Sequence, residues 1–161
     1  MDTQTVIAAL VITAACILYT AGVFSERRRG RLEPAHLALF WLGLACDATG
    51  TGIMSVIAGA EGGTPAAHAV TGTFALCLML FHAVWASIVL ARGNKKAQEG
   101  FHRLSIAVWL FWLVPYLCGL LMGIPALRLP ASTAMVCAGV GSFATGAALC
   151  LSRHLCTGGR R

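Results

Sequence analysis

Five apolar stretches, each long enough to cross a bilayer as a helix, divide this chain and leave almost nothing between them. They cover residues 3–24, 36–60, 65–91, 104–124 and 131–152, and a helical span takes about 20 apolar residues. In hydrocarbon the backbone N–H and C=O groups must be satisfied within the segment itself, so stretches of this kind fold as helices. Only 11% of the 161 residues are charged, against about 25% in soluble domains. The chain therefore reads as an all-α polytopic membrane protein, one bundle of five transmembrane helices over residues 1–161, in contact with lipid throughout. The first stretch lacks a basic segment before it and runs into Ser25-Glu26-Arg27-Arg28-Arg29, so it is expected to be a retained helix rather than a signal peptide.

Charge sets the expected orientation. Basic residues gather at Arg27, Arg28, Arg29 and Arg31, at Arg92, Lys95, Lys96 and Arg103, and at Arg153, Arg160 and Arg161, whereas Arg128 alone lies on the other side. The positive-inside rule then puts the N-terminus outside and the C-terminus in the cytoplasm, as for a multi-pass protein of a bacterial inner membrane. The net charge of +6 is accounted for by topology and anionic lipid, with no nucleic-acid partner. Short connections at Glu61-Gly62-Gly63-Thr64 and at residues 126–130 make helices two and three, and four and five, antiparallel neighbours. Pro65 suits a helix start and Gly93-Asn94 a helix stop.

Three stripes carry the chemistry. They are His36-Phe40-Gly43-Asp47-Gly50-Met54, His68-Gly72-Ala75-Met79-His82-Ala86 and His102-Ser105-Trp109-Trp112-Tyr116-Gly119. Steps of three and four keep each stripe on one helix face. Ionisable side chains in lipid are costly and face a bundle interior. Imidazole, glycine and aromatic residues on facing helices are what a haem pocket requires. By helical rise, Asp47 lies ~16 Å above His36 and Trp112 ~15 Å above His102. His82 is ~15 Å from Arg92 and ~21 Å from His68, by the same rise. Asp47, His82 and Trp112 are thus expected in one mid-membrane layer, His36 and His102 in a second at the cytoplasmic interface, and His68 near the outer surface.

Two histidines on one helix at this separation are similar to the two-haem helices of b-type cytochromes. His82 is the first candidate for an axial ligand, followed by His102, His36 and His68, with Met54 and Met122 as weaker partners at the depth of His68. Gly43, Gly50, Gly72 and Gly119 would admit the macrocycle, Trp85, Trp109, Trp112 and Tyr116 would line it, and Arg103, Arg27, Arg28 or Lys95 would meet propionates. Each assignment has an ordinary counterpart. His36 and His102 also suit a boundary position, His82 a structural hydrogen bond to Asp47, and Trp41 an interfacial anchor, while His154 beside Arg153 looks solvated.

Asp47 with Thr49, Gly50 and Thr51 opens another reading, a small proton- or ion-coupled protein with His82 as relay partner. No second intramembrane acid and no repeated broken helix accompanies it. A structural subunit is the third reading. The seven cysteines are scattered without a Cys-x-x-Cys and read as small apolar residues. No nucleophile–base pair argues for hydrolysis or group transfer. Helix five carries Ala134, Ala138, Ser142 and Gly146 at spacing four, a close-packing stripe facing the bundle or a second copy of the chain.

The sequence resembles the small bacterial five-helix membrane proteins of the HsmA family. The runs that carry the resemblance are residues 19–27, 36–44, 47–51, 68–72, 78–86, 101–105 and 108–116, spanning helices one to four. Helix five matches only as hydrophobic length. The resemblance implies a haem-associated integral membrane protein, with iron held by protein and haem b as cofactor, one or more per chain. It assigns no ligand among His36, His68, His82 and His102. Electron transfer in the manner of a b-type cytochrome, and sensing of haem or redox state through an unknown partner, follow equally from it.

Overall fold

The computed structural model describes residues 3–60, 62–93, 95–124, 126–127 and 129–158, with the side chains of all but 95, 96, 99 and 152–158. Expectations resting on Glu61, Asn94, Arg128, Arg160 and Arg161, and on the side chains of Lys95, Lys96, Arg153, His154 and Cys156, lie outside what is described. Five helices follow one another: α1 (Thr3–Arg29), α2 (Pro34–Ala60), α3 (Ala66–Arg92), α4 (Lys95–Gly123) and α5 (Ala131–Gly158). All five contain a segment long and apolar enough to cross a membrane.

The helices overrun the apolar stretches where charge favours it. α1 continues through Arg27, Arg28 and Arg29, cations that suit the negative end of its dipole. α4 begins well before residue 104 and draws Phe101, 1% exposed, into the core. Pro65 is the N-cap of α3, and Gly93 closes α3 in the left-handed conformation, donating its N–H to the Val89 carbonyl. Pro115 sits inside α4 without ending it.

α1 and α2 pack most extensively, and α3 and α4 complete a four-helix ring with them, while α5 lies outside against α4. The α1–α2 seam rests on glycines that receive large side chains from the facing helix. A Cβ on Gly43 would stand 2.6 Å from Cε1 of Tyr19, and one on Gly22 2.6 Å from Cε1 of Phe40, while Gly50 faces Ile12 in the same way. These glycines admit a neighbouring helix, the usual role of small residues where lipid supplies no hydrophobic drive.

The small-residue stripe of α5 is used within the chain. Ala134 and Ala138 are buried with Cys118 of α4, Ser142 Oγ donates to the Leu110 carbonyl at 2.6 Å, and a Cβ on Gly146 would lie 3.1 Å from Leu110 Cδ1. That bond sits one residue before Phe111, whose carbonyl has no helical donor at Pro115. Val136, Val140 and Phe143 cover the opposite, exposed face. The six described cysteines are all free thiols.

Gly43→Leu should lower the thermal stability of the detergent-solubilised protein by about 1–3 kcal/mol through overpacking against Tyr19. Gly52, with nothing within 4 Å of a built Cβ, is the control: Gly52→Ala should leave the melting temperature unchanged or raise it. Equal melting temperatures for both variants would refute this account of the seam.

Candidate functional site

The polar interior is organised by one face of α4, whose stripe touches three helices in turn. His102, Trp109 and Tyr116, seven residues apart, meet α1: His102 Nδ1 lies 3.0 Å from Glu26 Oε2, Trp109 Nε1 donates to Thr20 Oγ1 at 3.1 Å, and Tyr116 Oη donates to Thr13 Oγ1 at 3.5 Å. Ser105, Trp112 and Gly119 turn to the other side of the ring. Ser105 Oγ is 3.0 Å from His82 Nε2, Trp112 Nε1 donates to Asp47 Oδ2 at 2.7 Å, and a Cβ on Gly119 would stand 3.3 Å from Cε1 of His68.

Asp47, 4% exposed, is held by three donors from three helices. Besides Trp112, Tyr19 Oη donates to Oδ2 at 3.4 Å and Thr51 Oγ1 to Oδ1 at 3.5 Å. The Tyr19 and Trp112 rings meet edge to face at 5.1 Å, and Tyr116 stacks on Trp112 at 5.2 Å. A buried carboxyl so surrounded joins α1, α2 and α4.

His82 does not share this layer. Its ring stacks on Phe101 at 5.0 Å and meets Phe40 edge-on at 4.6 Å, and its hydrogen-bond partner is Ser105 rather than Asp47. Ser105 precedes Trp112 by seven residues, so His82 lies ~10 Å nearer the arginine-rich end than Asp47. The structural bond from His82 exists, but to a hydroxyl one layer lower. Nδ1 of His82 is buried without a hydrogen-bond partner, as is Nδ1 of His68.

His36, 3% exposed, accepts the Glu33 backbone N–H on Nδ1 at 3.1 Å, which puts its own ring proton on Nε2. Gly72 faces open space. Trp85 is turned away from the ring and stacks on Phe81 at 6.3 Å. Trp41 is exposed and donates to Ser87 at 3.2 Å, an anchor between α2 and α3. Arg103 is exposed. Met122 takes a contact from Cys118 at 3.8 Å and packs with the α4–α5 cluster.

The residue that sequence reasoning missed is Glu26. It is 1% exposed, paired with His102 and close enough to act electrostatically on His36. Its place beside three arginines made it look like part of a charged stop. The signal was periodicity: Ile12, Tyr19 and Glu26 recur every seven residues on the α1 face that meets α2 and α4. A second buried acid is therefore present, at the arginine-rich end of α1.

The suitability of these residues for axially ligated haem differs from one histidine to the next. Among the described residues no three metal-ligating side chains converge, but haem supplies four nitrogens itself and needs only one or two from protein. At His82 the surroundings do not fit, because two aromatic rings and Ser105 cover the imidazole. At Gly43 and Gly50 the space belongs to Tyr19 and Ile12. At His102 the donor chemistry does fit. A carboxylate lies behind Nδ1, the pattern found behind metal-ligating histidines. No protein-family model matches the chain, and neither curated proteins nor solved structures yield a similar one.

Removing the acceptor at Asp47 should leave Trp112 Nε1 and Tyr19 Oη unpaired in the interior. Asp47→Ala is expected to destabilise the protein by roughly 1–3 kcal/mol per unpaired donor, and Asp47→Asn, which keeps a carbonyl oxygen, by less. Thermal unfolding followed by tryptophan fluorescence separates the two. Equal losses would mean that the acceptor oxygen is not what holds the three helices.

Proposed function

We propose that this chain is an integral membrane haem-binding protein in which His102 would hold the haem iron and Glu26 would be the carboxylate that orients it. The observation that carries this reading is the 3.0 Å contact between Glu26 Oε2 and His102 Nδ1, made by a carboxylate buried at the arginine-rich end of α1. A buried carboxylate needs a partner of this kind, and a carboxylate on one ring nitrogen is the pattern found behind metal-ligating histidines. The resemblance to the HsmA family across α1–α4 supports the same reading, with Arg103 at the nearby end suited to propionates.

When bound, haem iron supplies a one-electron couple, which serves electron transfer or sensing of haem and redox state alike. What the chain's own residues do is hold and insulate. Glu26 fixes the His102 ring, Trp109 and Phe24, in edge contact at 5.3 Å, close the α1–α4 seam above it, and the aromatic residues around His82 exclude water from the next layer. The basic residues at this end support a cytoplasmic position for it and an outside N-terminus, as for a protein of a bacterial inner membrane. The alternative centred on Asp47 and His82 has less support, because those two side chains lie in different layers and Asp47 is already met by three donors.

The test is an oxidised-minus-reduced visible spectrum of the purified protein after expression with added haem. Wild type should show a b-type α band. His102→Ala should abolish it, Glu26→Gln should keep the band but weaken haem affinity by about 10–100-fold, and His82→Ala should retain it. Full haem loading in His102→Ala would overturn the assignment, and no Soret band in wild type would overturn the haem reading itself.

A further inference from the structure

We propose that the arginine-rich end of α1 carries a binding site for one anionic phospholipid, in the groove beside the α1–α4 seam. The groove has a volume of about 500 Å³ and is lined by Thr20, Ala21, Phe24, Ser25, Arg28 and Arg29. These residues recur in adjacent pairs, one helical turn apart, along the outer flank of α1. Phe24 forms part of its wall where it abuts Trp109, and Thr20 holds the Trp109 indole N–H. Among the described residues α5 packs on α4, and Ala21, Arg28 and Arg29 on this flank of α1 are exposed.

The chemistry changes along the groove in the way an amphiphile demands. Thr20 and Arg28 are separated by ~12 Å of helix. At one end are Ala21, Phe24 and the aliphatic part of Thr20, within the apolar span. At the other are two guanidiniums. Arg28 is exposed and makes no ion pair among the described residues. Arg29 gives Nη1 to Glu33 at 2.8 Å and keeps its remaining donors. Ser25 Oγ donates back to the Gly22 carbonyl at 3.2 Å, so the charged contacts rest on the arginines. Guanidinium pairs with phosphate in two parallel hydrogen bonds, and a basic segment at a membrane surface selects negative headgroups. A soluble phosphate would satisfy the arginines and leave the apolar half of the groove unused. A lipid satisfies both.

The site does not depend on haem. It is tested by native mass spectrometry of the full-length protein released from nanodiscs of mixed phosphatidylglycerol and phosphatidylcholine. Wild type should retain a phosphatidylglycerol adduct in preference to phosphatidylcholine. Arg28→Gln should reduce it roughly five-fold, the weight of about one cation near an anionic surface. Ala21→Trp, which fills the apolar half and leaves both charges, should reduce it too, and Arg92→Gln, a basic residue elsewhere, should not. The proposal is overturned if Arg28→Gln and Ala21→Trp both hold the lipid as wild type does. It is overturned equally if phosphatidylcholine is retained as well, or if millimolar inorganic phosphate displaces the adduct from wild type.

Discussion

The contacts of α4 are the constraint on which the rest of the structure depends. Lipid tails are as apolar as leucine, so helices in a bilayer gain little by hiding apolar faces from one another. What aligns them here is that His102, Trp109 and Tyr116 find partners on α1, while Ser105 and Trp112 find them on α3 and α2. Each such bond averages only about 0.6 kcal/mol in lipid. Their shared heptad spacing matters more than their sum. Sliding α4 by a single residue against α1 would break all three contacts there together, so the register is fixed as a set.

Glycine does the complementary work on α1 and α2. Tyr19 lies over Gly43 and Phe40 over Gly22, which brings the two backbones close and carries the Tyr19 hydroxyl to Asp47. The carboxyl and the glycines thus belong to one arrangement. Without the close approach, Tyr19 could not reach the acid, and without the acid its hydroxyl would be stranded in the interior. The Glu26–His102 pair repeats this logic one layer nearer the arginine-rich end.

The five spans and the three stripes were legible because composition and period report burial directly. Depth was less so. Counting rise along single helices put Asp47 with Trp112 correctly, since both were measured from helix starts that α2 and α4 respect in relative register. It misplaced His82, whose depth was counted from Arg92: its partner on α4 is Ser105, two turns before the Trp112 that meets Asp47. Glu26 was hidden by its arginine neighbours, whose charge dominates a local reading although the period of α1 turns the carboxylate inward. The partner of the α5 stripe could not be read at all. Small residues at spacing four fit any close neighbour, and only the contacts with Leu110 and Cys118 show that it is α4.

The peripheral place of α5 bears on how the protein comes to exist. Among the described residues, the hydrogen bonds that Asp47, His82 and Glu26 make with Trp112, Ser105 and His102 all precede Ala131. A chain delivered to the membrane from its N-terminus can therefore make these bonds once α4 is in place. The fifth helix then docks on a finished surface, laying Ser142 against the carbonyl of Leu110. Order of synthesis and order of packing coincide.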